Sequence, residues 1–412
     1  NKSGSACILE VARLLKRLID EGRLPRPRRS LRFLWGPEFS GTGPWVKENP
    51  DIMERTLCNI NLDMVGQHLS KSRAFAGIDR TTIGNAHYVN DVMENYFRYI
   101  GEGNSELYLH RSSYGVPRRI VAPTGSDEPF YYRINPHSGG SDHEIFNDWS
   151  VDVPGVLVIA WPDQWYHTSG DRIDKIDPTQ MKRMAVITAA SAYTIASAGE
   201  EMAAKIASEI MVNASRRLGQ QLFAALDILN RALPEDFGSS YKKARSVILC
   251  TADREKSTLE SVLELSESRE LAKEIRILRT NIDTQAAALL STLEQKMYAV
   301  ARTLGIAAAD TTLTDEEQSA VRIIPKRTPL VKENGYRAYR ILIDKVPDTV
   351  KQTYPYSRST LASTSELQSL VNGKRSALEI YQCLDLQTKR DSQLESVINY
   401  LHILKHAGLV EF

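Results

Sequence analysis

The most constraining feature of this sequence is an apolar run at residues 153–160, which is rich in β-branched side chains. Such a run is typical of a strand buried on both faces, and strands of this kind occur mainly in parallel sheets covered by helices. The run is too short to cross a bilayer, which needs about 20 apolar residues. It therefore predicts the central strand of an α/β domain and not a membrane segment.

Helices and further strands are predicted on both sides of this run. The helices follow from apolar residues at helical spacing, and one of them begins at Asp177-Pro178, a typical helix start. Helices and strands in this order predict an α/β fold with a mostly parallel sheet flanked by helices. The predicted helices are 5–20, 85–100 and 178–198, and the additional predicted strands are 31–35, 57–64 and 72–78.

The pattern becomes helical after residue 200. Residues 201–232 and 240–305 are nearly free of proline, and the later apolar residues lie three, four or seven apart, as on one face of a long helix. The C-terminal part has an order of elements that resembles a winged helix. Its predicted helices are 365–371, 377–384 and 392–406, and its predicted strand is 409–412.

Length and composition agree with several folded domains. The chain has 412 residues with 42% hydrophobic and 25% charged side chains, which suits two or three globular units. The 52 Lys and Arg residues nearly balance the 51 Asp and Glu residues, so charge does not indicate a general nucleic-acid binder. The predicted parts are an α/β domain over 1–200, a helical region over 201–305, a linking segment over 306–357 and a winged-helix-like domain over 358–412.

The cysteines are scattered and include no Cys-x-x-Cys pair. We therefore expect neither a disulfide framework nor a thiolate metal site, and the pattern favours a reducing compartment such as the cytoplasm. The chain opens with Asn1 directly before a predicted helix, so we expect a truncated N-terminus, and the missing signal peptide says nothing about export. The four cysteines are Cys7, Cys58, Cys250 and Cys383.

Acidic residues and a histidine follow the predicted strands of the α/β domain. Glu38 comes after the strand at 31–35, Asp63 ends the strand at 57–64, and His167 follows the buried run. Because ligands of open α/β sheets collect at the carboxyl ends of strands, we expect these side chains to lie close together. Carboxylates and a histidine are ligands that suit a divalent metal, so the sequence predicts a metal centre at this edge.

Five short motifs in this order resemble those of one peptidase family. The family is that of the co-catalytic di-zinc aminopeptidases, which includes bacterial leucyl aminopeptidases, glutamate carboxypeptidase II and glutaminyl cyclase. The resemblance covers residues 1 to about 200 and implies that family's α/β fold and a zinc-dependent metallopeptidase, expected to be an aminopeptidase. The motifs are Asn1-Lys2-Ser3-Gly4, Trp35-Gly36-Pro37-Glu38-Phe39-Ser40-Gly41, Asp63-Met64-Val65-Gly66, Ser141-Asp142-His143 and Tyr166-His167-Thr168-Ser169-Gly170-Asp171.

The resemblance also implies roles for individual residues. Glu38 matches the general base, and Tyr166 matches a phenol that steadies the tetrahedral oxyanion, so both are expected to be catalytic. Asp63 and His167 match zinc ligands. The positions expected to support the site are Asp142, His143 and Asp171, although a plain structural hydrogen bond explains His143 equally well.

The sequence departs from the family pattern at two places. The family's bridging aspartate directly precedes the asparagine that matches Asn1, and its His-x-Asp motif lies further upstream, so both fall outside this chain. Phe39 stands where the family has a second, zinc-binding glutamate. Either Glu38 is itself the ligand, or a different residue takes that place, or one metal is weakly bound or absent. The spacing of Glu38 to Gly41 favours the role of general base for Glu38. Two zinc ions are expected in the full-length protein, with the second depending on how Phe39 is accommodated.

Three functions compete on this sequence. The leading prediction is a metal-dependent aminopeptidase that uses zinc and acts on peptides. The alternative is a catalytically inactive peptidase-like scaffold, because the loss of a ligand at Phe39 is one way in which such a fold loses its metal. A DNA-binding regulator is least favoured, since the last predicted helix carries few cations. We expect no nucleic-acid or membrane partner, and an oligomer, if one forms, is expected to use the helical region.

Overall fold

A four-stranded sheet lies at the centre of the first half of the chain. The computed structural model describes residues 2–110, 120–333, 335–388 and 390–412, with only the backbone described for 104–110. The strands are β1 (Asn59–Asp63), β2 (Phe75–Asp79), β3 (Tyr132–Asn135) and β4 (Gly155–Trp161). The sheet order is β1-β4-β2-β3.

The sheet is mixed, with two of its three strand pairings parallel. β1 pairs parallel with β4, and β2 pairs parallel with β3, whereas the central pairing of β4 with β2 is antiparallel. The prediction of a mostly parallel sheet is confirmed, but the reversed central pair was not predicted. Because β1 and β4 run the same way, Asp63 lies beside Ile159 at the carboxyl ends of both strands.

Helices surround this sheet, and β4 lies in its interior as the apolar run predicted. Val156 and Val158 of β4 are fully buried. The helices of this half are α1 (Lys2–Asp20), α2 (Thr42–Glu48), α3 (Pro50–Glu54), α4 (Leu69–Ser72), α5 (Val89–His110), α6 (His143–Asn147) and α7 (Pro178–Ser197). Asp177 caps α7 by accepting a hydrogen bond from the Thr179 backbone amide, which confirms the predicted helix start.

The predicted strand at residues 31–35 is wrong. These residues form no strand, because no described strand pairs with them. Two of their side chains nevertheless contribute to the packing of the domain. Leu31 and Phe33 pack against an apolar cluster built from Val11 and Leu15 of α1 and Ala189 of α7. Leu31 and Phe33 therefore do face an apolar cluster, but a strand also requires a hydrogen-bonding partner for its backbone.

The helical region consists of three long helices that pack against one another. They are α8 (Glu200–Arg231), α9 (Phe237–Ser261) and α10 (Arg269–Leu304). Their apolar faces join the core of the α/β part, so one continuous cluster of buried side chains runs from Cys7 in α1 to Ala301 in α10. None of the helices in the described part of the chain is long and apolar enough to cross a membrane.

A network of buried charges joins α5 to the helical region. Arg217 of α8 pairs with Asp91 of α5 at 2.9 Å and with Glu255 of α9, and all three side chains are almost completely buried. Burial by itself would raise the pKa of Glu94. The positive charges of Arg80, Arg217 and other arginines outweigh this effect and hold the pKa of Glu94 below its usual range. The network therefore buries carboxylates together with matching cations.

The C-terminal part has the helices and the strand at the positions expected from its sequence. A second apolar cluster holds this part together and includes Ile83 and Trp149 from the α/β part. β5 pairs antiparallel with β6. The assignment as a winged helix remains a prediction. The elements are α11 (Asp315–Arg322), β5 (Lys326–Arg327), α12 (Arg340–Asp344), α13 (Asp348–Thr353), α14 (Thr364–Leu370), α15 (Ala377–Leu384), α16 (Leu394–His406) and β6 (Val410–Glu411).

The expectation of no disulfide is wrong. Cys250 of α9 and Cys383 of α15 form a disulfide with a Cα–Cα distance of 5.4 Å, while Cys7 and Cys58 are free. No local sequence pattern indicates this pair, because its two cysteines lie 133 residues apart and meet only when α15 packs on α9. The argument from scattered cysteines for a reducing compartment therefore loses its basis.

Candidate active site

Three carboxylates converge at the carboxyl end of β1. Asp63 is the last residue of β1, Glu38 lies in the loop before α2, and Asp142 directly precedes α6. Although much of Glu38 is exposed, partial burial, followed by the negative charges of Asp63 and Asp142, raises the pKa of its carboxyl above the usual range. The structure thus brings together three of the residues that the sequence singled out.

Hydrogen bonds tie the loops that carry these carboxylates. The backbone amide of Phe39 donates to Asp142 Oδ1 at 2.7 Å. Ser141 hydrogen-bonds to Glu38 and also accepts from Asn61 Nδ2 at 2.8 Å. Asp142 and Ser141 therefore fix the position of the Glu38–Phe39 pair relative to β1.

His143 lies directly behind this group and is fully buried. Its Nε2 donates to the Ser138 carbonyl oxygen at 2.6 Å, and burial lowers its pKa, so the imidazole is neutral. Its Nδ1 has no hydrogen-bond partner among the described residues. The His137 ring lies 5.6 Å away, and burial lowers the pKa of His137 to about 3. The two histidines therefore add no positive charge beside the carboxylates at neutral pH.

Tyr166, His167 and Asp171 lie on the exposed loop that follows β4. The Tyr166 and His167 rings stack with centroids 3.7 Å apart, and Tyr166 meets Trp161 edge-on at 5.1 Å. Since β4 runs parallel to β1, this loop leaves the sheet at the same edge as Asp63. Asp171 remains an exposed turn residue whose backbone amide bonds to the Thr168 carbonyl oxygen.

The backbone is strained at three points of this edge. Phe39, Met64 and His167 have φ values of 54°, 55° and 54°, in the left-handed region that side chains with a Cβ rarely adopt. Phe39 and Met64 directly follow Glu38 and Asp63, and His167 is itself a predicted ligand. Such strain costs on the order of 1–3 kcal/mol per residue and tends to occur at functional sites. It is an independent reason to assign a function to this edge.

Phe39 turns its side chain away from the carboxylates. It packs against an apolar cluster, at the position where the resembled family has a zinc-binding glutamate. The cluster consists of Val46, Met53, Ile145, Phe146 and Val153. The residue that replaces the family's second glutamate therefore anchors the loop.

The donor set of a metal centre is incomplete among the described residues. Carboxylates are suitable donors, but within these residues no three His, Cys, Asp or Glu side chains meet in an arrangement that could hold a metal ion. Asn1, which matches the position next to the family's bridging aspartate, lies outside the described residues. The described residues by themselves therefore do not fit a complete zinc site.

Sequence reasoning gave no individual role in the site to Asn61 or Thr42, and it included Ser141 only as part of a motif. Asn61 precedes Asp63 by two residues in β1, so both side chains point to the same face of the sheet. That spacing could have identified Asn61. The Thr42 side chain hydrogen-bonds to the Asp142 carboxylate. The two residues lie far apart in the sequence, so no local pattern could have indicated this contact.

Comparison with known proteins gives one match. Residues 1–192 match the model of Peptidase family M28. The matched segment contains every candidate site residue and supports a metal-dependent peptidase, in a family that is typically zinc-dependent. It covers slightly less than half of the 412 residues. No curated protein and no solved structure gives a significant match.

Proposed function

We propose that this protein is an aminopeptidase that removes N-terminal residues from peptides in a metal-dependent reaction. The observation that supports it is the group formed by Glu38, Asp63 and Asp142 inside the segment that matches the M28 family. A group of carboxylates at an exposed edge favours a ligand with positive charge. The free α-amino group of a peptide carries such a charge, whereas an internal peptide bond does not.

In this proposal Glu38 is the general base. Its pKa is raised above the usual range for a glutamate, so it accepts a proton more readily than an ordinary glutamate does. Ser141 and the Phe39 amide hold its loop in place. Tyr166 is exposed beside His167 and is proposed to donate a hydrogen bond to the developing oxyanion. Asp63 and His167 remain the proposed zinc ligands, with Asp142, His143 and Asp171 in support.

The test measures hydrolysis and zinc content of the full-length protein together. An aminoacyl 4-nitroanilide should be cleaved, its N-acetylated form should not, and a chelator should abolish cleavage until zinc is restored. His167→Ala should lower zinc content and activity together, typically by about 10- to 100-fold. The control is His406→Ala, because His406 is an exposed residue of α16. Equal cleavage of the blocked substrate would contradict the aminopeptidase, and unchanged zinc in His167→Ala would reassign His167.

A catalytically inactive, peptidase-like scaffold for protein interactions is the second candidate function. The packing of Phe39 into the apolar cluster favours it, because that loop then gives the site no second glutamate. Under this proposal the full-length protein binds no stoichiometric zinc and cleaves neither substrate. The same measurements therefore separate the two functions.

A further inference from the structure

A short segment of the C-terminal part, residues 335–340, contacts α2 and α6, the two helices that follow the loops of the candidate site. Tyr336 packs against the apolar cluster that holds Phe39. The same ring lies beside Gly43, where an added Cβ would be 3.7 Å from Tyr336 Cδ1. The next residue, Arg337, forms an ion pair with Glu144 of α6. This segment lies outside the part of the chain that matches the peptidase family.

Glu144 connects Arg337 to the turn that precedes Ser141. One carboxylate oxygen, Oε1, pairs with Arg337, and the other, Oε2, accepts a hydrogen bond from the Gly140 amide at 3.1 Å. The turn fits closely on this carboxylate, because a Cβ added at Gly139 would lie 2.8 Å from Oε2. A rotation of the Glu144 side chain would therefore remove this support from the turn.

The turn formed by residues 139–142 also holds the Glu38–Phe39 pair. It contains Ser141, which bonds to Glu38, and Asp142, which accepts from the Phe39 amide. A continuous path of contacts thus runs from Arg337 through Glu144 and the turn to the proposed base.

The backbone of Arg337 is itself strained. Its φ is 54°, a conformation that persists only where the surroundings hold it. Its side chain is 29% exposed, and that of Glu144 is 17% exposed, so the pair is partly shielded from water. Ion pairs with this degree of shielding are screened less than surface pairs.

We infer that Arg337 is a positioning residue, which holds the 139–142 turn through Glu144 and thereby sets the position of Glu38. Its catalytic consequence rests on the proposed aminopeptidase function, whereas the mechanical link does not. Arg327 provides a contrast, because it joins the same two parts of the chain through Asp152 at 3.1 Å and the Trp149 carbonyl oxygen, without touching the turn.

The experiment compares Arg337→Met, Arg337→Lys and Arg327→Met in the full-length protein. Hydrogen exchange is followed for peptides that cover residues 137–144 and 38–43, and kcat and KM are measured on the nitroanilide. Arg337→Met should speed exchange in both peptides at least about tenfold and lower kcat about 10- to 100-fold with little change in KM. Arg337→Lys keeps the charge and should restore most of both. Arg327→Met should lower the unfolding temperature without selective exchange in these peptides.

Each outcome decides one claim. Unchanged exchange in Arg337→Met overturns the positioning role, whatever the activity. Faster exchange with unchanged kcat in an active protein overturns the link from the turn to catalysis. A wild-type protein without peptidase activity overturns the proposed function instead, and faster exchange at 38–43 in Arg337→Met then still supports the link.

Discussion

Two groups of carboxylates in this molecule are built in opposite ways. Asp91, Glu94 and Glu255 lie deep between α5, α8 and α9, where Arg217 of α8 pairs with Asp91 and Glu255, and Arg80, which follows β2, pairs with Glu94. Glu38, Asp63 and Asp142 lie at the exposed edge of the sheet, and their mutual repulsion contributes to a raised pKa of Glu38. In the first group neighbouring arginines compensate the negative charges, whereas in the second Glu38 has like charges beside it.

The two regions also differ in their backbone conformation. The buried carboxylates sit on regular helices, and none of the described non-glycine residues of α5, α8 and α9 has a positive φ. The edge of the sheet has three such residues. Repulsion and strain at one place reduce stability, so their coincidence there indicates that this edge serves a purpose other than folding.

The largest expected effect is at Glu38. Glu38→Gln preserves size and hydrogen bonding but cannot accept a proton, so kcat should fall by about 10²–10⁴. The unfolding temperature should stay the same or rise, because the change removes repulsion from Asp63 and Asp142. The measurements are nitroanilide hydrolysis, zinc content and a thermal melt.

The matched control for this variant is Glu48→Gln, an exposed glutamate in α2. It should leave activity and stability unchanged. A Glu38→Gln protein that loses zinc first, and regains activity with excess zinc, would identify Glu38 as a ligand rather than the base.

A large loss of stability, without a loss of catalytic chemistry, is expected at Arg217. Arg217→Met leaves Asp91 and Glu255 buried without their main cation, which should lower the free energy of unfolding by about 3–5 kcal/mol. Urea denaturation measures this loss, and kcat per folded molecule should be retained.

Arg231→Met is the control for the buried network. Arg231 lies on the same helix and forms an exposed pair with Asp227, so its loss should cost less than about 1 kcal/mol. If both arginine variants lost equal stability, burial would not be what distinguishes the two groups of carboxylates.

The smallest expected effect concerns Glu366 of α14, which belongs to neither group. Burial raises its pKa to about 7, even though the Ile83 amide and Arg254 act in the opposite direction. The native state then holds a proton that the unfolded state has released, so stability should fall as pH rises from the ordinary glutamate pKa toward about 7.

Glu366→Gln removes this titration and keeps an acceptor for the Ile83 amide. The free energy of unfolding of the variant, relative to that of the wild type, should rise by about 1–3 kcal/mol between about pH 5 and about pH 8. Denaturation at several pH values measures it, with the exposed Glu395→Gln as control. Parallel pH curves for wild type and Glu366→Gln would show that the carboxyl titrates normally.

The sequence predicted the elements whose own side chains decide their structure. The buried strand β4 and helix α7 were visible because apolar periodicity and the Asp177 cap are local signals. The strand predicted at 31–35 failed because pairing depends on a distant partner. The antiparallel pairing of β2 with β4 was also invisible, since nothing local to either strand sets its direction.

The carboxylates of the candidate site could be predicted from the sequence, whereas the residues that hold them in place could not. Glu38 and Asp63 follow recognisable motifs, so their proximity could be expected. The path from Arg337 through Glu144 to Gly140 could not, because Arg337 and Glu144 lie almost two hundred residues apart and no motif includes both. The Cys250–Cys383 disulfide was missed for the same reason.

The apolar core of this molecule extends beyond the segment that matches the peptidase family model. The segment that matches the peptidase family ends at residue 192, inside α7, but the apolar cluster continues through Ile206 and Ile210 of α8 to Ala301. The segment that matches the family model shares its apolar core with α8, α9 and α10, which lie outside the match. If this segment were transferred into another protein, α8, α9 and α10 would therefore have to be transferred with it, because they form part of its apolar core.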